Sequence, residues 1–198
     1  MAKIDLDTFG INEGISEMIV TTYQGWSPNA APMGIIRKDD ELLVRLFKGS
    51  TTYSNVLAEH RLVANLVYDP LLFVRTTFGD LDDSEFDVFT HDERGFAVLK
   101  DAVSWAVFEC VDIRETSEAL VAKLKPLHAR MNKHVFRSVN RGFNLVIESC
   151  VHATRYELTN DEKYMRLIKA YSCTVNKCGG KAEKDAMKFL LNYLEGKK

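Results

Sequence analysis

The stretch Leu42 to Val56, LLVRLFKGSTTYSNV, holds the residue types that bind an anionic group. On an extended strand its side chains alternate, so Leu42, Val44 and Leu46 face one way and Leu43, Arg45 and Phe47 the other. The first set suits the filling of a barrel. The second places a guanidinium between two apolar side chains, which suits a ligand with a flat ring and a charged end. Lys48, Gly49 and the hydroxyls of Ser50, Thr51 and Thr52 follow, and TTYSNV reads as the start of a short helix. Free amides at a helix N-terminus, beside hydroxyls, Arg45 and Lys48, make a chemically complete phosphate site. The same residues also fit a plainer arrangement, in which Ser50 to Thr52 cap the helix and the two cations are solvated. The pattern GxxxxGK followed by Ser or Thr is absent, so this is not a Walker loop.

A second segment, residues 21–35 (TTYQGWSPNAAPMGI), carries small residues at Ala30, Ala31 and Gly34 that let another molecule lie close to the backbone. Pro32 opens a strand, where a missing amide is tolerated. A flat cofactor resting on this edge would receive hydrogen bonds from main-chain groups around Met33 and Gly34; an ordinary hairpin with a proline at its exit fits the same residues.

These segments need elements to hold them. Residues 15–23, 32–37, 41–47, 61–68, 71–78 and 96–110 read as strands from their β-branched and aromatic content. Gly25 to Pro28 and Lys38 to Asp40 read as tight hairpin turns, and Asp69-Pro70 interrupts a ladder. Six strands at this spacing indicate a closed or nearly closed barrel, and the acidic run Asp80 to Asp87 reads as a solvated loop. From Thr116 the period reads as helical: Thr116 or Ser117 caps a helix through LVAKLKPLHARMNKHVF, bent at Pro126. A further helix starts near Asn140, with Phe143, Val146, Ile147, Cys150 and Val151 on one stripe. Tyr164, Leu167, Ile168 and Tyr171 mark another. After Gly179-Gly180 the last carries Ala182, Ala186, Phe189, Leu190, Tyr193 and Leu194. The expected architecture is α+β, a mainly antiparallel split β-barrel in residues 1–115 and a helical region in 116–198, packed on the barrel or on a partner subunit.

The 198 residues, 46% hydrophobic and 27% charged, exclude disorder and fibrous repeats. The net charge of -2 conceals an asymmetry: residues 1–110 hold 9 Lys and Arg against 18 Asp and Glu, and residues 111–198 hold 17 against 10. No dense basic run occurs, so the basic half reads as solvated helix faces and not as a nucleic-acid groove. Asp5 and Asp7 stand where a signal peptide needs apolar residues, and no window approaches the roughly 18 apolar residues that span a bilayer, so a cytoplasmic protein without a membrane partner is expected. Four cysteines form neither a disulfide framework nor a recognisable zinc spacing, and no metal is expected.

The hairpin with PNAAPMGI and the strand and loop VRLFKGSTTYSN resemble the FMN-binding split-barrel superfamily, which includes flavin reductases and pyridoxamine-phosphate-oxidase-like proteins. Asn29-Ala30-Ala31-Pro32 resembles the N-x-AP element of flavin reductases, and Thr52-Tyr53-Ser54-Asn55 the end of their K-D-T-x-x-N element. The Lys-Asp before that threonine is replaced by Ser50-Thr51. The chain is more similar to an archaeal-type family of uncharacterised function that adds a C-terminal segment of the form N-R...IE...HATR, met here by Asn140, Arg141, Ile147, Glu148 and His152 to Arg155. This resemblance implies a homodimer with FMN near the subunit interface. It makes Arg45, Lys48, Ser50, Thr51, Thr52 and Asn55 the phosphate candidates, and Asn29 with Pro32, Met33 and Gly34 the ring-edge candidates. Asn65 would donate to the ring or ribityl chain, or else be a satisfied polar group in a sheet. Trp105 would stack on the ring, or else belong to the core. Asn144, with Asn140 and Arg141, would reach a cavity edge. The implied function is an oxidoreductase with FMN as redox centre and NAD(P)H or another small molecule as reductant. Flavin N5 itself exchanges hydride, which accords with the lack of a Ser-His-Asp or paired-carboxylate arrangement. His128, His134 and His152 are available as proton donors or are ordinary helix residues. A non-catalytic FMN carrier, and a cofactor-biosynthesis enzyme taking a phosphorylated or pterin-like substrate, use the same cradle.

Overall fold

The computed structural model describes residues 4–25, 27–39 and 41–196, with Gln24 described by its backbone alone. Trp26 and Asp40, in the two predicted hairpin turns, lie outside these residues. Among the described residues the strands are β1 (Gly14–Gln24), β2 (Ser27–Lys38), β3 (Glu41–Phe47), β4 (Arg61–Leu66), β5 (Phe86–His91), β6 (Arg94–Leu99), β7 (Ser104–Glu115) and β8 (Ala119–Met131). The helices are α1 (Thr51–Glu59), α2 (Pro70–Phe78), α3 (Arg141–Thr159), α4 (Glu162–Cys178) and α5 (Lys181–Gly196). They fall into two compact units, one of residues 1–68 and 80–135, the other of 69–79 and 136–198.

In the first unit six antiparallel strands close into a barrel in the order β1-β2-β3-β8-β7-β4. Period-two alternation fixes what lies inside: Met18 and Val20, Val44 and Leu46, Leu62 and Ala64, Ala106 and Phe108, Leu120 and Ala122 are all sealed from solvent. Alanines at 64, 106 and 122 leave room for Phe108 and the leucines, the mixture of small and large side chains that a narrow barrel requires. The β5–β6 hairpin turns at Asp92 and Glu93, both with positive φ (47° and 64°), as a two-residue turn matching strand twist demands. It covers the outer face of the barrel, where Asn65 Oδ1 accepts from the Leu99 amide at 3.0 Å and the Thr21 hydroxyl donates to the Ala97 carbonyl.

Four predicted segments differ. The run after Thr116 is strand β8 and not a helix, so the barrel unit extends to residue 135 and not to 115. Leu120, Ala122 and Leu124 are buried while Lys123 and Lys125 point outward, which is a two-residue period. Thr116 closes a hairpin, donating its amide to the Ala119 carbonyl at 2.7 Å and accepting from the Ala119 amide at 3.0 Å. Pro126 sits where the β7–β8 register shifts, a bulge that tolerates a missing donor. The second difference is residues 71–78, which form α2: Asp69 accepts from the Leu71 amide at 2.9 Å and Pro70 occupies the first turn, both strong helix starts. The third is residues 96–110, read as one strand but divided into β6 and β7 by a turn at Lys100–Val103, where the Ala102 amide bonds the Leu99 carbonyl. The acidic run 80–87 is only partly loop, since Asp83–Glu85 form a 3-10 turn and Phe86 begins β5.

In the second unit, α3 to α5 bury their apolar stripes on one another and on α2. Asn140 caps α3, accepting from the Gly142 amide at 2.8 Å. Val146 and Cys150 lie in the core as the spacing predicts. The stripes of the last two helices are rotated slightly from the predicted ones. Met165, Ile168 and Val175 are buried in α4 while Leu167 is exposed, and Met187 takes the place of Phe189 beside the expected Leu190 in α5, whose Ala182 is exposed too. Glu183 is 4% exposed and is held by Arg137 Nη2 at 2.7 Å and the Gly180 amide at 2.8 Å.

Candidate functional site

The barrel is split between β2 and β3. They pair only where Ile35–Lys38 meets Glu41–Val44; beyond that, Ser27–Gly34 continue on β1 and Arg45–Phe47 on β8. Among the described residues no strand pairs with the edge of β2 from Pro28 to Gly34, so alternate main-chain groups there border the gap, or cleft, between the two strands. Pro32 stands on this edge, where its lack of an amide forfeits no ladder bond. Gly34 has a different reason from the one its size suggests: a Cβ there would lie 2.6 Å from Ile15 Cγ2. Its small size therefore serves packing across β1.

Helix α1 follows directly from β3 and stops one end of the barrel. Val56 is fully buried in the barrel core, and the residues one and four positions earlier, Asn55 and Thr52, are turned inward with it. Thr22, on the same inner face as Met18 and Val20, is their hub. Its hydroxyl oxygen accepts from Asn55 Nδ2 at 3.0 Å and from Asn29 Nδ2 at 3.5 Å, while Asn29 Nδ2 also donates to Thr52 Oγ1 at 3.0 Å. This buried network joins the β2 edge to α1 and gives Asn29 and Thr52 fixed positions at the inner end of the cleft. Thr22 was missed as a sequence candidate, although its parity with Val20 already places it inside.

At the mouth of the cleft, Ser50 caps α1: its hydroxyl accepts from the Tyr53 amide at 3.1 Å and donates to the Phe47 carbonyl at 3.0 Å. Gly49, at φ +86°, supplies the left-handed step that turns the chain from β3 into the cap. The amides of Thr51 and Thr52 open the helix, at positions that have no intrahelical acceptor. Arg45 lies over the exposed Phe47 ring at 5.2 Å. The two cations are not an isolated positive island. Arg45 Nη2 is 3.7 Å from Glu118 Oε2, and Lys48 Nζ is 3.4 Å from Glu115 Oε2. Tyr53 donates its hydroxyl to the same Glu115 oxygen at 2.9 Å, and this bond, with some desolvation and the carboxylate charge, raises the tyrosine above its ordinary pKa. The two glutamates belong to the β7–β8 hairpin and were invisible to sequence reading.

The structure therefore gathers Asn29, Pro32, Met33, Gly34, Arg45, Lys48, Ser50, Thr51, Thr52 and Asn55 around one split. Asn65 and Trp105 take the plainer of their two readings. Asn65 is fully buried and spent on structure, with Nδ2 donating to the Ile19 carbonyl and Thr21 Oγ1, both at 3.0 Å, and Oδ1 accepting from Leu99. Trp105, 3% exposed, lies on the outer wall, tilted against Phe89 of the hairpin at 4.8 Å, and so packs as a core aromatic. Asn144 is exposed on α3 in the helical unit, where Asn140 serves as a cap and Arg141 Nη2 lies 3.1 Å from Cys178 Sγ. Asn140, Arg141 and Asn144 belong to the helical unit and not to the barrel unit.

Of the three histidines, His128 and His134 belong to the barrel unit and His152 to the helical unit. His134 is exposed between β8 and α3, and His152 is buried between Tyr164 and Tyr171, at ring distances of 5.7 and 5.6 Å. His128 lies on β8, not on a helix, stacked on Phe89 at 4.7 Å. Desolvation, followed by the nearby His91 and Arg130, lowers its pKa. The unfolded chain therefore takes up this proton first, and stability is expected to decline as pH falls below about 6.5, levelling once His128 also titrates in the fold. Melting curves collected down to about pH 5 check this: His128→Phe should lose less stability on acidification than wild type. Burial pushes the Cys110 and Cys150 thiols up to about 12, which leaves them unreactive. All four cysteines are free, and no group of three or more metal-ligating side chains occurs among the described residues. Among the same residues no helix is long and apolar enough to cross a membrane.

Comparison with known proteins follows this division of the chain. The flavoredoxin of Methanosarcina acetivorans, 14% identical, aligns over 62% of this chain and 72% of its own with a TM-score of 0.51, a likeness of fold. An uncharacterized protein of Methanocaldococcus jannaschii is 24% identical over 91% of this chain and 98% of its own length. The crystal structure of an FMN-bound protein from Methanosarcina mazei is 53% identical, covers 95% of this chain and 99% of that one, and has a TM-score of 0.91. Models of a protein family of unknown function, DUF447, match residues 16–133 with its N-terminal domain and 140–192 with its C-terminal domain, and the chain belongs to that family.

Proposed function

We propose that this chain is an FMN-binding flavoprotein and that its reaction is a redox step carried by the flavin. The observation that carries the reading is the split between β2 and β3, in a chain 53% identical to an FMN-bound protein of the same family. The cleft fits FMN chemically. It offers a free main-chain edge for a planar, hydrogen-bonding ring system and, at the start of α1, amides, hydroxyls and two cations for a phosphate monoester. Arg45, Lys48, Ser50 and the Thr51 and Thr52 amides would hold the phosphate. Asn29 and Thr52, fixed through Thr22 and Asn55, would bound the inner end, and the Pro28–Gly34 edge would orient the ring. When bound, the flavin supplies hydride or electron transfer at its ring; the protein binds, orients and shields it. A second copy of the chain covering the cleft accords with Phe47, which is 60% exposed beside Arg45. Sedimentation of the holoprotein as a dimer would support that arrangement.

The purified protein is expected to show flavin bands, or to quench added FMN, and the bound flavin to bleach on anaerobic addition of NADH or NADPH. Absence of both bands and quenching would refute FMN binding. Bound flavin that stays oxidised with either nucleotide, and with dithionite-competent controls, would favour a carrier. Arg45→Ala and Thr52→Ala are each expected to weaken FMN about tenfold or more without unfolding the barrel, as expected for loss of one charge-assisted or buried hydrogen bond. Fluorescence titration measures this, and unchanged affinity in both would remove these residues from the site.

A further inference from the structure

The two cations at the mouth of the cleft are already partnered, and their partners are held in place by backbone. The Lys48 amide donates to the Glu118 carbonyl at 3.0 Å, Phe47 pairs in register with Ala119, and Thr116 closes the hairpin between them onto Ala119. The hairpin carrying Glu115 and Glu118 is thus fastened to the loop that leads into α1. Its carboxylates stand against Lys48 and Arg45, at 3.4 and 3.7 Å, because the main chain keeps them there. Arg45, Lys48 and Glu115 are about half exposed and Glu118 is 76% exposed, so each pair alone is weak and can be opened by a stronger anion.

We propose that Glu115 and Glu118 are internal competitors for the cofactor phosphate, residues that set the charge the cleft demands of its ligand. The inference rests on the FMN reading above. A ligand bearing a terminal phosphate, with about 1.5 to 2 negative charges, outcompetes two single carboxylates for Arg45 and Lys48. The same ring system without a phosphate gains nothing from the cations and leaves the ion pairs closed. When the pairs open, the carboxylates remain close to the phosphate and oppose it. Tyr53, in the first turn of α1, donates to Glu115 and ties that carboxylate to the helix start, which supports its role as a positioned counter-charge.

The test is a flavin-selectivity measurement on the full chain, with FMN and riboflavin as probes and Glu115→Gln, Glu118→Gln and the double variant as proteins. Each single change is expected to tighten FMN about threefold and the double about tenfold, the size of an exposed ion pair, with riboflavin unchanged and the FMN dependence on salt made steeper. A merely structural role would move both ligands together. Equal shifts for FMN and riboflavin, or FMN affinity unchanged or reduced in the double variant, would overturn the proposal. Melting temperatures identify any variant that is misfolded, and the single variants then decide. Wild-type protein that binds neither flavin refutes the underlying FMN reading; wild-type protein that binds FMN normally while the glutamine variants do not differ refutes the competitor role alone.

Discussion

Asn65→Ala is expected to lower the stability of the barrel by about 3 kcal/mol, from the loss of several buried hydrogen bonds and the stranding of a donor. Its amide group ties three strands at one point: β1 through the Ile19 carbonyl and Thr21, β4 through its own backbone, and β6 through the Leu99 amide. Leu99 is 2% exposed, so its amide would have no water to turn to. The loss should be read as a shift of the urea midpoint and, locally, as faster hydrogen exchange of the Leu99 amide than of amides in β7. A fall below about 1 kcal/mol would mean that water or a neighbouring group replaces the carboxamide. Asn65 thus matters for the attachment of the β5–β6 hairpin, with an effect on flavin affinity only through overall unfolding.

Arg137→Ala is expected to cost more, about 3–5 kcal/mol, because it strands a charge instead of a neutral group. Glu183 has a side chain only 6% exposed, and Arg137 is its cationic partner, covering the Phe143 ring at 4.5 Å as well. Without the guanidinium the buried carboxylate keeps the Gly180 amide but loses its charged partner. Chemical denaturation monitored by far-ultraviolet circular dichroism should show the helical unit unfolding earlier. The double change Arg137→Ala with Glu183→Gln should recover part of the loss, since a neutral amide can still meet the Gly180 amide that Glu183 now accepts from at 2.8 Å. A single variant as stable as wild type would show that the pair contributes little.

The site was legible in the sequence to the extent that it is local. Alternation along Leu42 to Phe47 places Val44 and Leu46 inside and Arg45 outside, and the run Ser50 to Asn55 announces its helix and cap, because both signals reside in neighbouring residues. Thr116 deceived because a hydroxyl that bonds a nearby amide serves a hairpin turn as well as a helix start. The apolar run Leu71 to Phe78 carries no period of its own, and Asp69-Pro70 decides it in favour of a helix. Asn65 and Trp105 each admitted two readings, and burial, which depends on what packs across the sheet, chose the structural one. Glu115 and Glu118 lie some 70 residues from the cations they neutralise in sequence, and only strand register brings them there.

Helix α2 is encoded between β4 and β5, yet Phe73 packs edge-on against Phe143 at 5.9 Å and Val74 belongs to the core formed with α3, α4 and α5. During synthesis this helix leaves the ribosome more than 60 residues before its partners do. Until then that apolar face lacks its native partners, and a nascent chain ending anywhere before α3 leaves Phe73 and Val74 without them. A fragment cut after the last barrel strand would carry the same unsatisfied surface permanently.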